Sequence, residues 1–113
     1  MIEKTVITYL NAQLDVPVYM EKPEVKPEKY VVISVLDFGR TDHIDAVTLD
    51  LTAYAPSLLD AAELCSLVRE KMFGIITLAN VSSSKLGGGG QAIQTATKEY
   101  AYDCIFNLFY KEA

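Results

Sequence analysis

The sequence predicts a single α+β domain over residues 1–113. An antiparallel or mixed sheet of about four to five strands carries two helices, in the order α-β-β-β-α-β-β. Three observations predict it. Ile2, Val6, Leu10 and Leu14 recur every fourth residue, as on one face of a helix. Residues 30–38 and 45–54 are two strand-like runs separated by a short polar turn. Residues 57–74 then read as a capped amphipathic helix.

In the first helix, Ile7 and Tyr9 widen the apolar stripe. The β-branched run Thr5, Val6, Ile7, Thr8 lowers helix propensity, so burial must stabilise it. Asp15 and Pro17 end the element. Val16 to Met20 suits a short edge strand, because Pro17 cannot donate to a central ladder. Residues 21–29 carry charge with Pro23 and Pro27 and read as a stiff, solvated connection.

Residues 30–38 are almost wholly apolar, the pattern of a strand covered on both faces. Residues 45–54 alternate. Val47, Leu49, Leu51 and Ala53 point one way, and Thr48, Asp50, Thr52 and Tyr54 the other. A loop at residues 39–43 joins the two as a hairpin, with Gly39 free to take a positive φ. Ser57 and Asp60 form a capping pair for the second helix. Leu58, Ala61, Ala62, Cys65, Val68 and Met72 form its buried stripe, with Leu64 and Leu67 at the margins; Arg69 and Lys71 suit its C-terminal dipole and Gly74 its C′ position. Residues 75–85 read as a weaker strand. Gly87, Gly88, Gly89 and Gly90 read as a flexible loop, and residues 95–110 as a long last strand. On that strand Lys98, Tyr100, Tyr102, Cys104, Phe106, Leu108 and Tyr110 share one face, and Ile105 and Phe109 lie on the other.

Composition narrows the function classes. No apolar run approaches the ~20 residues of a membrane-spanning helix. No export signal is expected at the N-terminus, where Glu3 and Lys4 interrupt the pattern of a leader. Cys65 and Cys104 sit within apolar patterns and read as buried free thiols of a reducing compartment. Fifteen acidic residues against ten basic give a net charge of −5, which argues against a nucleic-acid clamp. Ordinary solubility accounts for that charge; it would equally suit a wall past which DNA slides.

Three patches invite chemistry. The glycines follow Lys85 and Leu86, but no Gly-Lys-Ser/Thr ending opens a helix, so a phosphate cradle is not expected. Asp42, His43 and Asp45 place one imidazole and two carboxylates at a turn, short of a metal shell. Tyr100, Tyr102 and Tyr110 offer a stacking platform, or simply an aromatic sheet face. From these patterns no residue is assigned as catalytic, cofactor-binding or metal-ligating.

The element order, however, resembles a family. A helix leads into Val16-Pro17-Val18-Tyr19. A Pro-containing linker precedes Tyr30-Val31-Val32-Ile33. A strand ends in Leu51-Thr52-Ala53-Tyr54-Ala55, and a helix with Ala61-Ala62 and Val68 follows. Over residues 2–74 this is similar to the small tail terminator and tail completion (head–tail joining) proteins of long-tailed bacteriophages and prophages. The resemblance implies a structural virion protein, not an enzyme, without cofactor. It implies a ring, commonly hexameric, that caps the tail tube, meets the tail tube protein and head–tail connector proteins, and resides in the virion tail or neck after assembly in the bacterial host cytoplasm. It implies that function lies in interfaces, for which Tyr54, Ile105 and Phe109 are the candidate residues. Two other classes stand beside it. One is a small dimeric ferredoxin-like ligand-binding or enzyme domain. The other is a different head–tail connector or minor capsid protein of virion assembly.

Overall fold

A computed structural model describes residues 1–94 and 99–111, with no account of the side chains of residues 41 and 91–94. The elements are α1 (Ile2–Gln13), β1 (Val18–Tyr19), β2 (Tyr30–Thr41), β3 (Ile44–Ala55), α2 (Leu58–Phe73), a 3-10 turn (Gly74–Thr77), β4 (Val81–Gln94) and β5 (Tyr100–Tyr110). The expected α+β class and element order stand. One five-stranded sheet has the order β1-β2-β3-β5-β4. β1 joins β2 in parallel, and the other neighbours are antiparallel. β3 and β4 therefore run the same way, with β5 inserted between them.

The core lies between the sheet and the helices. Val47 pairs with Leu108, Leu49 with Phe106 and Leu51 with Cys104, so their side chains share a face. Ile2, Val6 and Leu10 of α1, and Ala61, Leu64, Cys65, Val68 and Met72 of α2, cover it. Each large aliphatic group buried there contributes about 1.5–3 kcal/mol. Ser57 caps α2, its Oγ accepting from the Asp60 N–H at 3.1 Å. Leu58 is a correction: it is 45 % exposed, in the first turn of α2, outside the buried stripe.

The end of α2 also differs from expectation. Gly74 is right-handed (φ −77°), and the chain tightens into the 3-10 turn in place of a left-handed cap. Glycine is needed there for space. A Cβ would lie 2.9 Å from the Tyr9 hydroxyl, which donates to the Lys71 carbonyl at 2.8 Å and ties α1 to α2.

Three strand assignments change as well. β2 runs on to Thr41, so the turn is Asp42-His43, with φ of 51° and 67°. Those two left-handed residues make the tight hairpin, and Gly39 stays within the strand. Residues 75–77 are helical, and β4 begins at Val81. Gly87, Gly88, Gly89 and Gly90 lie inside β4, where Gly88 faces Ile105 and Gly89 faces Cys104 across the ladder. They are strand residues, not a connecting loop. The segment expected to open the last strand, including Lys98, lies outside the described residues.

Lengths explain what stays uncovered. Twelve-residue strands such as β2 and β3 reach about 40 Å, whereas the 16 residues of α2 reach about 24 Å. The molecule measures 45 × 24 × 23 Å. Tyr30, Val31, Val32 and Ile33 are buried, but Ser34 and residues 36–40 of β2 are exposed, with Val35 half-buried between them. Among the described residues, no helix is long and apolar enough to cross a membrane.

Candidate functional site

The face of the sheet turned away from the helices carries the polar half of each alternating strand. Cross-strand pairing sets its rows. Asp37, Thr48, Asn107 and Lys85 form one row from β2 to β4; Ser34, Asp50, Ile105 and Gly88 form the next. The Thr48 hydroxyl lies 2.8 Å from Asn107 Oδ1 and donates to it. Ile105 is half-buried in the middle of this face, and Phe109, 41 % exposed, stands near its end. Two of the residues expected at an interface are thus on one open surface.

Asp50 and Asp103 come together here from neighbouring strands, one diagonal step apart in the ladder. An Oδ1 of each is shielded from solvent without a partner. Burial, then the hydrogen bond and charge of Asp103, pushes the Asp50 carboxyl up to about 7. Below about pH 7 the Asp50 carboxyl therefore keeps its proton. Periodicity alone put Asp50 on this face, but only the strand order brings Asp103 beside it.

Tyr54 occupies the other end of the face, where the linker folds over the sheet. Its ring stacks on Tyr30 with centroids 4.8 Å apart, and Lys22 Nζ lies 4.5 Å above it. The Tyr30 hydroxyl donates to Glu99 Oε2 at 2.7 Å, and Lys22 and Lys26 reach Glu99 Oε1 at 3.4 Å. Burial works to raise the Glu99 carboxyl, yet the Tyr30 hydroxyl and the two ammonium groups hold it below its ordinary value. Tyr54 is thus engaged within its own chain.

Backbone conformation and close approach favour glycine along this stretch. Gly88, Gly89 and Gly90 all have positive φ, at 135°, 100° and 88°. A Cβ on Gly89 would lie 2.6 Å from Cys104 Cα and 2.7 Å from the Asp103 carbonyl oxygen. A Cβ on Gly87 would lie 2.5 Å from Asn107 Nδ2. Register shifts at Leu86/Gly88 and Gly89/Ala92 mark the same stretch as bulged.

Cys65 on α2 and Cys104 on β5 are both buried and unbridged. The neighbouring Cys65 thiol and burial push the Cys104 thiol up, away from thiolate character. At the hairpin tip, Asp42 and His43 help line a cleft of about 450 Å³ with Asn80, Ser82, Tyr110 and Lys111. Among the described residues, no three His, Cys, Asp or Glu side chains converge as a metal shell. A second, more apolar cleft of about 500 Å³ lies along α1, between Lys4, Thr8, Tyr9 and Leu78.

No protein-family model matches this chain, and no curated protein matches it with significance.

Proposed function

We propose that this chain is a structural subunit of a phage or prophage tail. It assembles as a ring that caps the tail tube and takes part in head–tail joining. The observation that carries the proposal is the half-covered sheet. One face is covered by two helices, and on the other, among the described residues, no helix lies over Ile105 and Phe109. A ring closed by head-to-tail contacts needs two different patches on each subunit; the two outer strand edges supply them and leave the open face for the tail tube. Element order supports the same reading, through its resemblance over residues 2–74. A net charge of −5 suits a passage that lets DNA slide without binding it.

The test is assembly. Wild-type protein is monomeric or a small oligomer when dilute and forms rings at high concentration or on isolated tail tubes. A protein with no affinity for tail tubes contradicts the proposal. A stable dimer that binds a metabolite in the cleft beside His43 and Lys111 supports the ferredoxin-like alternative instead.

A further inference from the structure

Both outer edges of the sheet are open over long stretches. β1 pairs with β2 only at Val31 and Val32, so the outer edge of β2 has no partner strand over residues 34–41 among the described residues. β4 is the opposite edge, and nothing described pairs with its outer side. Open edges present unpaired N–H and C=O groups as a template for another strand. β2 and β4 run in opposite directions, because three antiparallel steps separate them. A sheet continued from one copy to the next therefore joins β4 to β2 antiparallel.

The side chains select a register. The row Asp37–Thr48–Asn107–Lys85 is acidic at the β2 edge and basic at the β4 edge. Continuing this row sets Lys85 of one copy opposite Asp37 of the next. In that register Leu86 falls opposite Leu36, two apolar residues that are 42 % and 53 % exposed in the free chain. It also sets the register irregularity of β2 at Val35/Asp37 against that of β4 at Leu86/Gly88, so the two kinks coincide. Residues 34–41 then pair with residues 81–88. The join stops where β1 begins to occupy the edge of β2. There the positive φ of Gly88, Gly89 and Gly90 and the register shift at Gly89/Ala92 interrupt the regular ladder of β4.

We infer that this chain assembles with copies of itself by edge-to-edge sheet continuation, residues 81–88 of β4 pairing antiparallel with residues 34–41 of the next copy's β2, with Lys85 against Asp37. The inference rests on the proposed ring and specifies its subunit contact. A short external peptide would satisfy one edge only; a second copy satisfies both.

The experiment mixes Asp37→Cys protein with Lys85→Cys protein under assembly conditions and adds a short bismaleimide. The native cysteines are buried and serve as the background in wild-type protein. Linked dimers are expected in the mixture and absent from either variant alone. Lys85→Asp is expected to weaken self-association about tenfold, and adding Asp37→Lys to restore it. Rings that form without the 37–85 link, or with 37–37 or 85–85 links, overturn the edge contact and leave the ring standing. Wild-type protein that stays monomeric at every concentration and on tail tubes overturns both.

Discussion

The two faces of one sheet obey different rules. On the helix side, Leu49, Leu51, Phe106 and Leu108 are shut away by α2, and exchange of any of them is felt throughout the fold. On the open side, the same strands present Thr48, Asp50, Ile105, Asn107 and Phe109, held by the ladder and by one another. Among the described residues, that side is shielded where the linker lies over Tyr30 and Tyr54 and where Asp50 and Asp103 meet. The first face makes the domain, and the second is left for contact. Their difference teaches that a strand can be fixed in place by one of its sides while the other remains available.

The largest effect should come from breaking the sealed face. Leu51→Asp puts a carboxylate among Cys104, Cys65 and Val68 and should cost more than about 4 kcal/mol, enough to prevent folding. Soluble, cooperatively melting Leu51→Asp protein would refute the packing. Next comes the bulged end of β4. Gly89→Ala drives a methyl into the β5 backbone and should cost about 2–4 kcal/mol, whereas Gly88→Ala meets open space and should cost about 1–2 kcal/mol from φ strain alone. Chemical denaturation of the two variants checks the order; equal losses would mean that contact with β5 is not what demands glycine.

The open face carries its own pH signature. The Asp50 carboxyl rises from 3.8 to about 7 on folding. A raised carboxyl binds its proton more tightly in the folded state, so its stabilising contribution is full below pH 3.8 and fades as the pH climbs through 7. Asp50→Asn removes that loss and keeps a donor for Asp103. Relative to wild type it should gain on the order of 1–3 kcal/mol above pH 7 and little at pH 4. Thermal melts of both proteins across pH 4–8 measure the difference; two parallel curves would show that folding does not raise the Asp50 carboxyl. The smallest effect should be Phe109→Lys, within about 0.5 kcal/mol of wild type, because its ring is already half in water.

Much of this architecture was legible because strands and helices announce their periods. The fourfold spacing of Ile2, Val6 and Leu10 and the alternation of residues 45–54 each named the face that became buried. Residues 30–38 misled because composition does not record length. The apolar run suggested cover on both faces, yet Leu36 and Phe38 lie beyond the reach of the helices. Four consecutive glycines read as a loop, since glycine favours turns; here close approach to Cys104 and positive φ require them within a strand. Candidate surface residues were half legible. Ile105 and Phe109 follow from alternation, but the Asp50–Asp103 pair, the anchoring of Lys22 and Lys26 on Glu99, and the Asp37–Lys85 row exist only once β5 lies between β3 and β4.

The most direct test of the open face as an assembly surface is native mass measurement on wild type and on the double variant Ile105→Glu, Phe109→Glu, each alone and with isolated tail tubes. The account predicts rings and tube binding for wild type, and, because edge pairing leaves the open face outside the subunit contact, a folded double variant that still forms rings but no longer caps tubes. A double variant that still caps tubes contradicts it.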